Sequence, residues 1–418
     1  MVVEKLREKG LLVRTDTDYT HRIATNSRGG GVIEPQLKEQ WFVAVNKEFR
    51  MPHSKMKGIK KGQRITLKEL MLHVVKSKQI EIIPKRFEKI YFHWVNNLHD
   101  WCISRQLWYG HRIPAWYCKT QNPLYKKCAE AIVRIVDVKS CPHCKGPVEQ
   151  DPDTLDTWFS SGMWTFSTLG WPKTTPDLKN YHPTSVIDPG YEILPLWVSR
   201  MILMSGYLLG EIPFRRVYFH GIVRDKDGRK FSKSLNNGID PLDVIAMYGT
   251  DALRMSLTVG IGPGSDVRFD MDKVRAYRNF TNKLWNITRF ILLRSETSKD
   301  KAPVRFSAKQ QKYLRELATL TKKVTKHLDT FEFHHAAELL YHYTWHTFAD
   351  KIIEETKKQF ESSDTEERRQ GTAFLLQIHT TLLKMLHPFM PFVTEEIWAQ
   401  LPHAKKKNNL LMVERWPS

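Results

Sequence analysis

The sequence is short of cysteine and of long apolar runs. Five cysteines occur in 418 residues, all of them between Cys102 and Cys144. An odd number of thiols confined to one segment argues against a disulfide framework and favours reduced thiols or a metal site. No apolar run reaches the length of a membrane span, and the first residues lack the basic-then-apolar pattern of a secretory signal. We therefore expect a cytoplasmic protein with no membrane partner.

Acidic residues are scarce relative to basic ones. The chain has 45 Asp and Glu against 65 Lys and Arg, which gives a formal net charge of +20. A chain this basic favours a polyanionic partner, and nucleic acid is the better choice because nothing directs the chain to a membrane. The 13 Trp and 20 Phe argue against disorder, and 418 residues suffice for two or three domains.

A polar, basic loop carries the clearest chemical pattern. The segment Gly228–Ser234 reads Gly-Arg-Lys-Phe-Ser-Lys-Ser. It follows a β-rich run at residues 216–223 and precedes Asp240 and a proline, which together predict the start of a helix. A strand, a cationic loop and a helix form the arrangement in which α/β proteins bind phosphates, and Lys230 and Lys233 can contact one polyphosphate. On composition alone, a solvated basic loop is the alternative.

Four cysteines predict a metal site. Two residues separate Cys141 from Cys144, as in a zinc knuckle, and twelve separate Cys128 from Cys141. The nine residues between Cys118 and Cys128 are an irregular spacing. Four thiolates suit a closed, structural zinc site, with His143 as an alternative ligand. Four ordinary reduced cysteines are the other interpretation.

Residues 184–223 predict a parallel βαβ unit. A short strand at residues 184–188 leads through a turn at Gly190 into a helix with an apolar stripe. The stripe comprises Trp197, Met201, Met204 and Leu208. A carboxylate just after the first strand, here Glu192, is where such folds hold a ribose hydroxyl. Taken by itself, the stripe indicates core rather than a binding pocket.

From Met271 onward the pattern is helical. Apolar residues recur at steps of three to four in four long segments, which predicts a bundle of four amphipathic helices. The four stripes begin at Tyr277, Leu317, Ala337 and Leu375. Lysine and arginine are frequent on the polar faces, and this indicates either a solvated surface or one that faces RNA.

Together these motifs resemble the valyl-tRNA synthetases, a family of class I aminoacyl-tRNA synthetases. Lys230–Ser234 is similar to the signature Lys-Met-Ser-Lys-Ser, with Phe231 in place of methionine. The stretches Trp101–Tyr117, Leu155–Gly162 and His220–Asp225 are similar to the same family. The helical part resembles the family's anticodon-binding domain. The resemblance covers essentially the whole chain and corresponds to the C-terminal portion of the family.

The resemblance implies an α/β plus all-α fold. Its parts are the second half of a Rossmann-like catalytic domain, a small zinc-ribbon-like cysteine module and a helical anticodon-binding bundle. The implied domains are residues 1–117 (end of a connective insert and return to the catalytic core), 118–150 (cysteine module), 151–270 (second half of the catalytic domain) and 271–418 (anticodon-binding domain). The family's other signature, His-Ile-Gly-His, belongs to the first half of the fold and is not found here. We therefore expect a fragment or subunit that needs a separate N-terminal half.

The resemblance also implies valine–tRNA ligase activity, with ATP, Mg²⁺, valine and tRNA-Val as reactants and partners. The implied catalytic residues are Lys230 and Lys233. The implied ATP-binding residues are Gly190, Glu192, His220, Gly221, Lys230, Ser232 and Lys233. The implied pocket for the valine side chain comprises Trp158, Ile193 and Trp197. Two alternatives stay open: a non-catalytic tRNA-binding protein derived from a class I synthetase, and a fragment of an isoleucine-type enzyme. The intact lysine pair counts against the first.

Overall fold

The computed structural model describes residues 2–26, 29–120, 126–232, 236–295, 304–402 and 410–417. The chain divides into two compact units. The smaller unit comprises Met1–Val43, Cys102–Leu107 and Ile113–Thr154, and the larger unit comprises Ala44–Trp101, Trp108–Arg112 and Leu155–Ser418.

Strands in the described residues are short. They are β1 (Phe42–Val43), β2 (Phe49–Arg50), β3 (Arg64–Ile65), β4 (Glu81–Ile83), β5 (Trp101–Cys102), β6 (Ser104–Arg105), β7 (Ala115–Cys118), β8 (Ile132–Val133), β9 (Val148–Gln150), β10 (Thr154–Leu155), β11 (Thr184–Ile187), β12 (Phe214–Tyr218), β13 (Val223–Arg224) and β14 (Val267–Arg268).

Helices dominate the second half of the chain. They are α1 (Val2–Glu8), α2 (Leu67–Lys76), α3 (Arg86–Asn96), α4 (Thr157–Ser161), α5 (Trp164–Ser167), α6 (Pro176–Tyr181), α7 (Ser199–Leu208), α8 (Pro241–Tyr248), α9 (Thr250–Ser256), α10 (Met271–Ser295), α11 (Ala308–Asp329), α12 (Phe333–His342), α13 (Glu354–Phe360), α14 (Thr365–Leu386) and α15 (Pro391–Gln400). Short 3-10 turns occur at Lys126–Ala129, Tyr191–Ile193 and Leu411–Val413, and π-helical segments at Leu194–Val198 and Tyr343–Ile353. No helix in the described part of the chain is both long and apolar enough to cross a bilayer.

The smaller unit is built on an antiparallel sheet of order β8-β7-β9. The central strand β7 pairs Trp116 with Ile132 on one side and with Gln150 on the other. Trp116 and Ile132 are buried together with three of the cysteines. This small core therefore depends on the cysteine side chains as well as on the sheet.

The larger unit contains a parallel sheet of order β11-β12-β4. Its inward side chains include Phe214 and Val217, which are fully buried, as expected for a strand covered on both faces. Because the strands are parallel, their carboxyl ends meet at one edge. We call the edge formed by the ends of these strands at Ile83, Ile187 and Tyr218 the carboxyl edge, and the opposite edge, where the strands begin, the amino edge.

The helical part follows the predicted pattern. The four predicted segments correspond to α10, α11, α12 continued through the π-helical segment into α13, and α14. They share one apolar core with α15. Its fully buried members include Phe280, Leu284, Phe348, Leu375, Ile378 and Leu382. The predicted helix start at Asp240 is also confirmed: its side chain accepts the Leu242 N–H at 2.8 Å, with Pro241 as the first helical residue.

The parallel sheet and the helices are connected by aromatic packing and by hydrogen bonds. The ring of Tyr218, the last residue of β12, lies 6.0 Å from the ring of Phe331, in the turn between α11 and α12, and 5.4 Å from the ring of Phe333, the first residue of α12. Phe331 has a φ of +60°, which is rare for a bulky side chain. The Asp251 carboxylate accepts the Val393 N–H at 2.6 Å, at the start of α15. A carboxylate suits that position because the first N–H groups of a helix lack partners.

Candidate nucleotide site and cysteine cluster

Residues Gly190 and His220 come together at the carboxyl edge. They form an isolated parallel bridge, and the His220 N–H donates to the Pro189 carbonyl at 3.2 Å. Gly221 follows, and a Cβ at this position would lie 1.8 Å from the Ser265 carbonyl oxygen, so only glycine fits. In open α/β sheets, ligands bind in the crevice beyond the carboxyl ends of the strands. Three residues predicted from the sequence to bind ATP thus lie where such a ligand belongs.

Lys230 and Glu192 form an ion pair beside this crevice. The Lys230 Nζ lies 2.7 Å from Glu192 Oε1, and about half of each side chain is exposed. The backbone of Lys230 pairs with Arg224, so the loop folds back onto β13. The lysine predicted to bind phosphate therefore meets the carboxylate predicted to bind ribose. Lys233 lies outside the described residues.

Two further residues hold the loop in shape. The Asn237 side chain donates to Asp225 Oδ2 at 2.8 Å and to the Lys230 carbonyl at 3.3 Å, and it accepts the Ser232 N–H at 2.9 Å. Asp225 is buried and also accepts the Arg229 N–H at 2.8 Å and the Arg229 Nε–H at 2.9 Å. The hydrogen bond from Asn237, aided by those from Arg229, lowers the pKa of Asp225 to about 2. Sequence reasoning missed both Asp225 and Asn237.

A second carboxylate, Asp266, connects the turn after Gly190 to the segment after His220. It accepts the Ile222 N–H at 2.9 Å, the Arg224 Nε–H at 2.5 Å and the Tyr191 hydroxyl at 3.1 Å. Burial favours a higher pKa for Asp266, but these hydrogen bonds outweigh it and the pKa is lowered. The Tyr191 ring stacks on Phe87 at 5.5 Å. Asp266 thus anchors the residue next to Glu192, although it lies far from Glu192 in the sequence.

The predicted valine pocket lies on α4 and on the turn after Gly190. Trp158, Ile193 and Trp197 are all half-buried. Asp156 caps α4 by accepting the Trp158 N–H at 3.2 Å. The Trp197 Nε1–H donates to the Ser161 carbonyl at 2.9 Å, which joins the helix of Trp158 to the segment of Ile193 and Trp197.

The four predicted cysteine ligands of the smaller unit form one cluster. The sulfurs of Cys118, Cys128, Cys141 and Cys144 all lie within 4.8 Å of one another. Cys118 and Cys144 are 3.5 Å apart, and Cys128 and Cys141 are 3.7 Å apart. Four sulfurs placed tetrahedrally at about 2.3 Å from a zinc ion would be about 3.8 Å from one another. The cluster therefore fits a zinc ion.

The pKa values of two of the sulfurs are shifted in opposite directions. Backbone N–H groups of Cys144 and His143 hydrogen-bond to the Cys141 sulfur and lower its pKa. Burial raises the pKa of Cys128. The His143 side chain is exposed and is not part of the cluster. Cys102 also lies apart from the cluster, within 3.5 Å of the Gln40 side chain.

Comparison with known proteins identifies the family. Residues 5–270 match the model of class I tRNA synthetases for isoleucine, leucine, methionine and valine. The chain belongs to the class I tRNA synthetases. Residues 310–418 match the anticodon-binding domain of tRNA ligases. The predicted membership of the class I synthetases and the predicted fold class are both confirmed.

Two curated relatives that are more than 40% identical to this chain are valine–tRNA ligases. The enzyme of Clostridium acetobutylicum is 41% identical over 423 residues, and that of Carboxydothermus hydrogenoformans is 43% identical over 423 residues. Each match covers 100% of this synthetase chain but 44% of the relative. The chain thus spans less than half the length of the curated relatives that it matches.

Solved structures share the synthetase fold at low identity. The free form of Mycobacterium tuberculosis methionyl-tRNA synthetase matches with a TM-score of 0.61 at 15% identity, covering 91% of this chain and 67% of that chain. A ternary complex of Agrobacterium radiobacter LeuRS with tRNA and LeuAMS matches with a TM-score of 0.59 at 23% identity, covering 77% of this chain and 42% of that chain. At this identity the likeness extends to the fold alone.

Proposed function

We propose that the chain is the part of a valine–tRNA ligase that binds the ATP phosphates, the valine side chain and the tRNA. One observation carries the proposal: Lys230 and Glu192 meet beside Gly190 and His220 at the carboxyl edge. The valine specificity rests on identities of 41% and 43% along the whole chain with valine–tRNA ligases.

In the proposed reaction a valine carboxylate oxygen attacks the α-phosphorus of ATP. The bond from that phosphorus to the bridging oxygen breaks, and pyrophosphate leaves with the bonding electrons. Negative charge grows on the leaving group, so the ammonium groups of Lys230 and Lys233 stabilise the transition state more than they stabilise bound ATP. A magnesium ion bound with ATP adds positive charge to the same phosphates.

Glu192 has two roles in this proposal. Its carboxylate accepts a ribose hydroxyl of ATP, as a carboxylate does in many nucleotide-binding α/β folds. Before ATP arrives, it keeps the Lys230 ammonium next to the crevice at 2.7 Å. Gly190, His220, Gly221 and Ser232 contribute the remaining backbone and side-chain contacts to the nucleotide. Trp158, Ile193 and Trp197 enclose the valine side chain.

A groove on the helical part is the proposed contact for single-stranded RNA. It has a volume of about 510 Å³, and the charged and aromatic residues that line it are Lys322, Lys326 and Asp329 of α11 and Trp416. The Trp416 indole is oriented by a hydrogen bond from Nε1 to the Thr325 hydroxyl at 2.8 Å. Aromatic rings flanked by cations bind unpaired bases by stacking and phosphates by charge. The anticodon loop of tRNA-Val is the partner that this groove fits.

The cysteine cluster is the proposed structural zinc site. Cys118, Cys128, Cys141 and Cys144 would hold the ion. The ion would cross-link β7, the 3-10 turn at Lys126–Ala129 and the turn at residues 141–144. We also propose that the domains predicted from the sequence end at residues 117, 150 and 270.

The proposal is tested by valine-dependent exchange of pyrophosphate into ATP. The 418-residue chain is assayed alone and together with the remaining portion of the C. acetobutylicum relative, supplied as a second polypeptide. We expect little exchange by the chain alone, and exchange with valine but not with isoleucine when both are present. Binding of tRNA-Val without exchange in either mixture would instead favour a tRNA-binding protein without catalysis.

A further inference from the structure

A basic cavity lies at the amino edge of the parallel sheet, opposite the nucleotide crevice. It has a volume of about 420 Å³, within the range of small-molecule sites. Five basic and two acidic side chains line it, a surplus of three positive charges. The basic residues are Lys55, Lys57, Lys78, Arg215 and Arg216, and the acidic ones are Glu81 and Glu211.

Both acids are already engaged with a cation. Lys55 Nζ lies 2.9 Å from Glu211 Oε2, and Arg216 Nε lies 3.1 Å from Glu81 Oε2. The Arg216 guanidinium also lies 5.5 Å from the centre of the Phe331 ring. The other three cations, on Lys57, Lys78 and Arg215, have no carboxylate within ion-pair distance among the described residues. Three like charges around one cavity repel each other, and an anion between them removes that cost.

The backbone that carries the lysines is held firmly. The Gln79 side chain accepts the Lys57 N–H at 2.7 Å and donates to the Lys57 carbonyl at 3.0 Å. Its amide also donates to the Ser77 hydroxyl at 2.7 Å. Between Ser77 and Gln79, Lys78 has a φ of +56°, an uncommon conformation for a residue other than glycine. These hydrogen bonds thus fix the backbone from which the Lys57 and Lys78 side chains extend into the cavity.

We propose that this cavity is a second phosphate-binding site, which takes a polyphosphate or a phosphate of an RNA backbone. Lys57, Lys78 and Arg215 supply the charge, and the Ser77 hydroxyl supplies a neutral donor. The site does not depend on the proposed ligase activity. Because it lies at the opposite edge of the sheet from Lys230, ATP in the crevice does not compete for it.

The test compares two variants that lose the same charge. Lys57→Gln/Arg215→Gln removes two cations from the cavity, and Lys60→Gln/Lys61→Gln removes two exposed cations just outside it. Calorimetric titration uses inorganic tripolyphosphate in one arm and a short single-stranded RNA in the other, at one ionic strength. Every protein carries Lys230→Ala, Lys233→Ala and Trp416→Ala, which weaken the other proposed sites for phosphate and for single-stranded RNA.

We expect the cavity variant to bind at least about tenfold more weakly, because each lost charged hydrogen bond weakens binding by roughly that factor. The outer variant should bind within about twofold of the parent. If the cavity variant binds both probes more weakly, the cavity is a general phosphate site. If it binds only the RNA more weakly, the ligand is a phosphate of an RNA backbone. Equal losses in the two variants, or no binding of either probe at millimolar concentration, overturn the proposal.

A second measurement needs no variant. Exposed lysines are acetylated with a limiting reagent, with and without tripolyphosphate, and the sites are read by mass spectrometry. The ligand should protect Lys57 and Lys78 several-fold and leave Lys60 and Lys61 unchanged. Uniform protection of all four would mean that the anion is attracted only by net charge, and the cavity site would have to be abandoned.

Discussion

The ammonium nitrogen of Lys230 lies 2.7 Å from a carboxylate oxygen of Glu192. Both side chains are about half exposed, so the pair adds at most about 1 kcal/mol to the free energy of unfolding. A contact this weak is easily exchanged for a phosphate. The pair matters because it holds the lysine at the carboxyl edge, near Gly190 and His220, where we propose that the nucleotide binds.

Replacement of this lysine should affect the reaction and not the fold. We expect Lys230→Ala to lower the rate of valyl-adenylate formation about a hundredfold in the two-polypeptide assay, the usual loss for one donor to developing charge. Lys233→Ala should behave alike. Lys226→Ala is the matched control, because Lys226 is an exposed lysine of the same turn. A similar loss of tRNA affinity in Lys230→Ala would identify a backbone contact to tRNA instead.

Removing Asn237 should loosen the loop without unfolding the protein. Asn237→Ala deletes three hydrogen bonds, to Asp225, Lys230 and Ser232. We expect trypsin to cleave after Arg229 or Lys230 about tenfold faster, and the KM for ATP to rise. Asn97→Ala, which deletes a bond to a helix carbonyl at 2.8 Å, serves as the control. Equal cleavage in the two variants would contradict the role of Asn237.

The free energy of unfolding of the helical part should decrease as the pH is lowered, because His379 is buried in its neutral form. This side chain is fully buried, next to the Thr288 hydroxyl at 2.9 Å and stacked on Phe348. Burial lowers its pKa to about 3, whereas the unfolded chain binds the proton near the ordinary value of 6.5. The contribution of His379 to stability is therefore constant above pH 6.5 and decreases as pH falls toward 3, by roughly 1.4 kcal/mol per pH unit.

Urea unfolding at several pH values between about 7.5 and 4.5 measures this slope. The comparison is with His379→Gln, which keeps a hydrogen-bonding group but does not titrate. The variant should be less stable at neutral pH and should show a shallower decline in acid. If both proteins decline in parallel, other groups cause the acid sensitivity.

The cysteine cluster should retain metal through purification. We expect one zinc ion per chain without added metal, and its loss in Cys141→Ser together with a lower melting temperature. Cys102→Ser is the control, because Cys102 lies outside the cluster. A metal-free native protein in which all five thiols react freely with a thiol reagent would refute the zinc site.

Lysines of the α11 groove should determine how tRNA binding depends on salt. Lys322→Gln/Lys326→Gln should reduce the slope of log affinity against log salt by about 1.5, because each lost phosphate contact accounts for about 0.7 to 0.9. Lys312→Gln/Lys358→Gln removes two exposed charges elsewhere on the helices and should change the slope less. Trp416→Ala should weaken binding about tenfold with little change of slope, because stacking is not ionic.

Periodic features of the fold could be predicted from the sequence. The helices that begin at Met271, Ala308 and Thr365 were predicted from their apolar stripes. The helix start at Asp240 was predicted from Asp240 and the proline that follows it. The predicted strand at residues 216–223 is observed at Phe214–Tyr218, since a β-rich composition does not fix where pairing stops. Regular α-helix after Gly190 begins only at Ser199, because a 3-10 turn and the π-helical segment Leu194–Val198 come first, and the apolar pattern does not distinguish these from α-helix.

The supports of the site could not be predicted in the same way. Asp225 and Asn237 are twelve residues apart, and Asp266 lies 42 residues beyond Arg224. Such pairs depend on how the loop and β13–β14 fold in space, and no periodicity links them. Lys230 and Glu192 were predicted separately, for phosphate and for ribose, but their contact was not.

Strand β12 connects three places that have been described one by one. It begins beside the basic cavity at Arg215 and Arg216, packs through Tyr218 on Phe331 and Phe333, and ends two residues before His220. Five residues of strand span about 17 Å, with no flexible segment in between. Residues of the basic cavity, of the helix contact and of the crevice therefore lie on one uninterrupted backbone segment from residue 214 to residue 220.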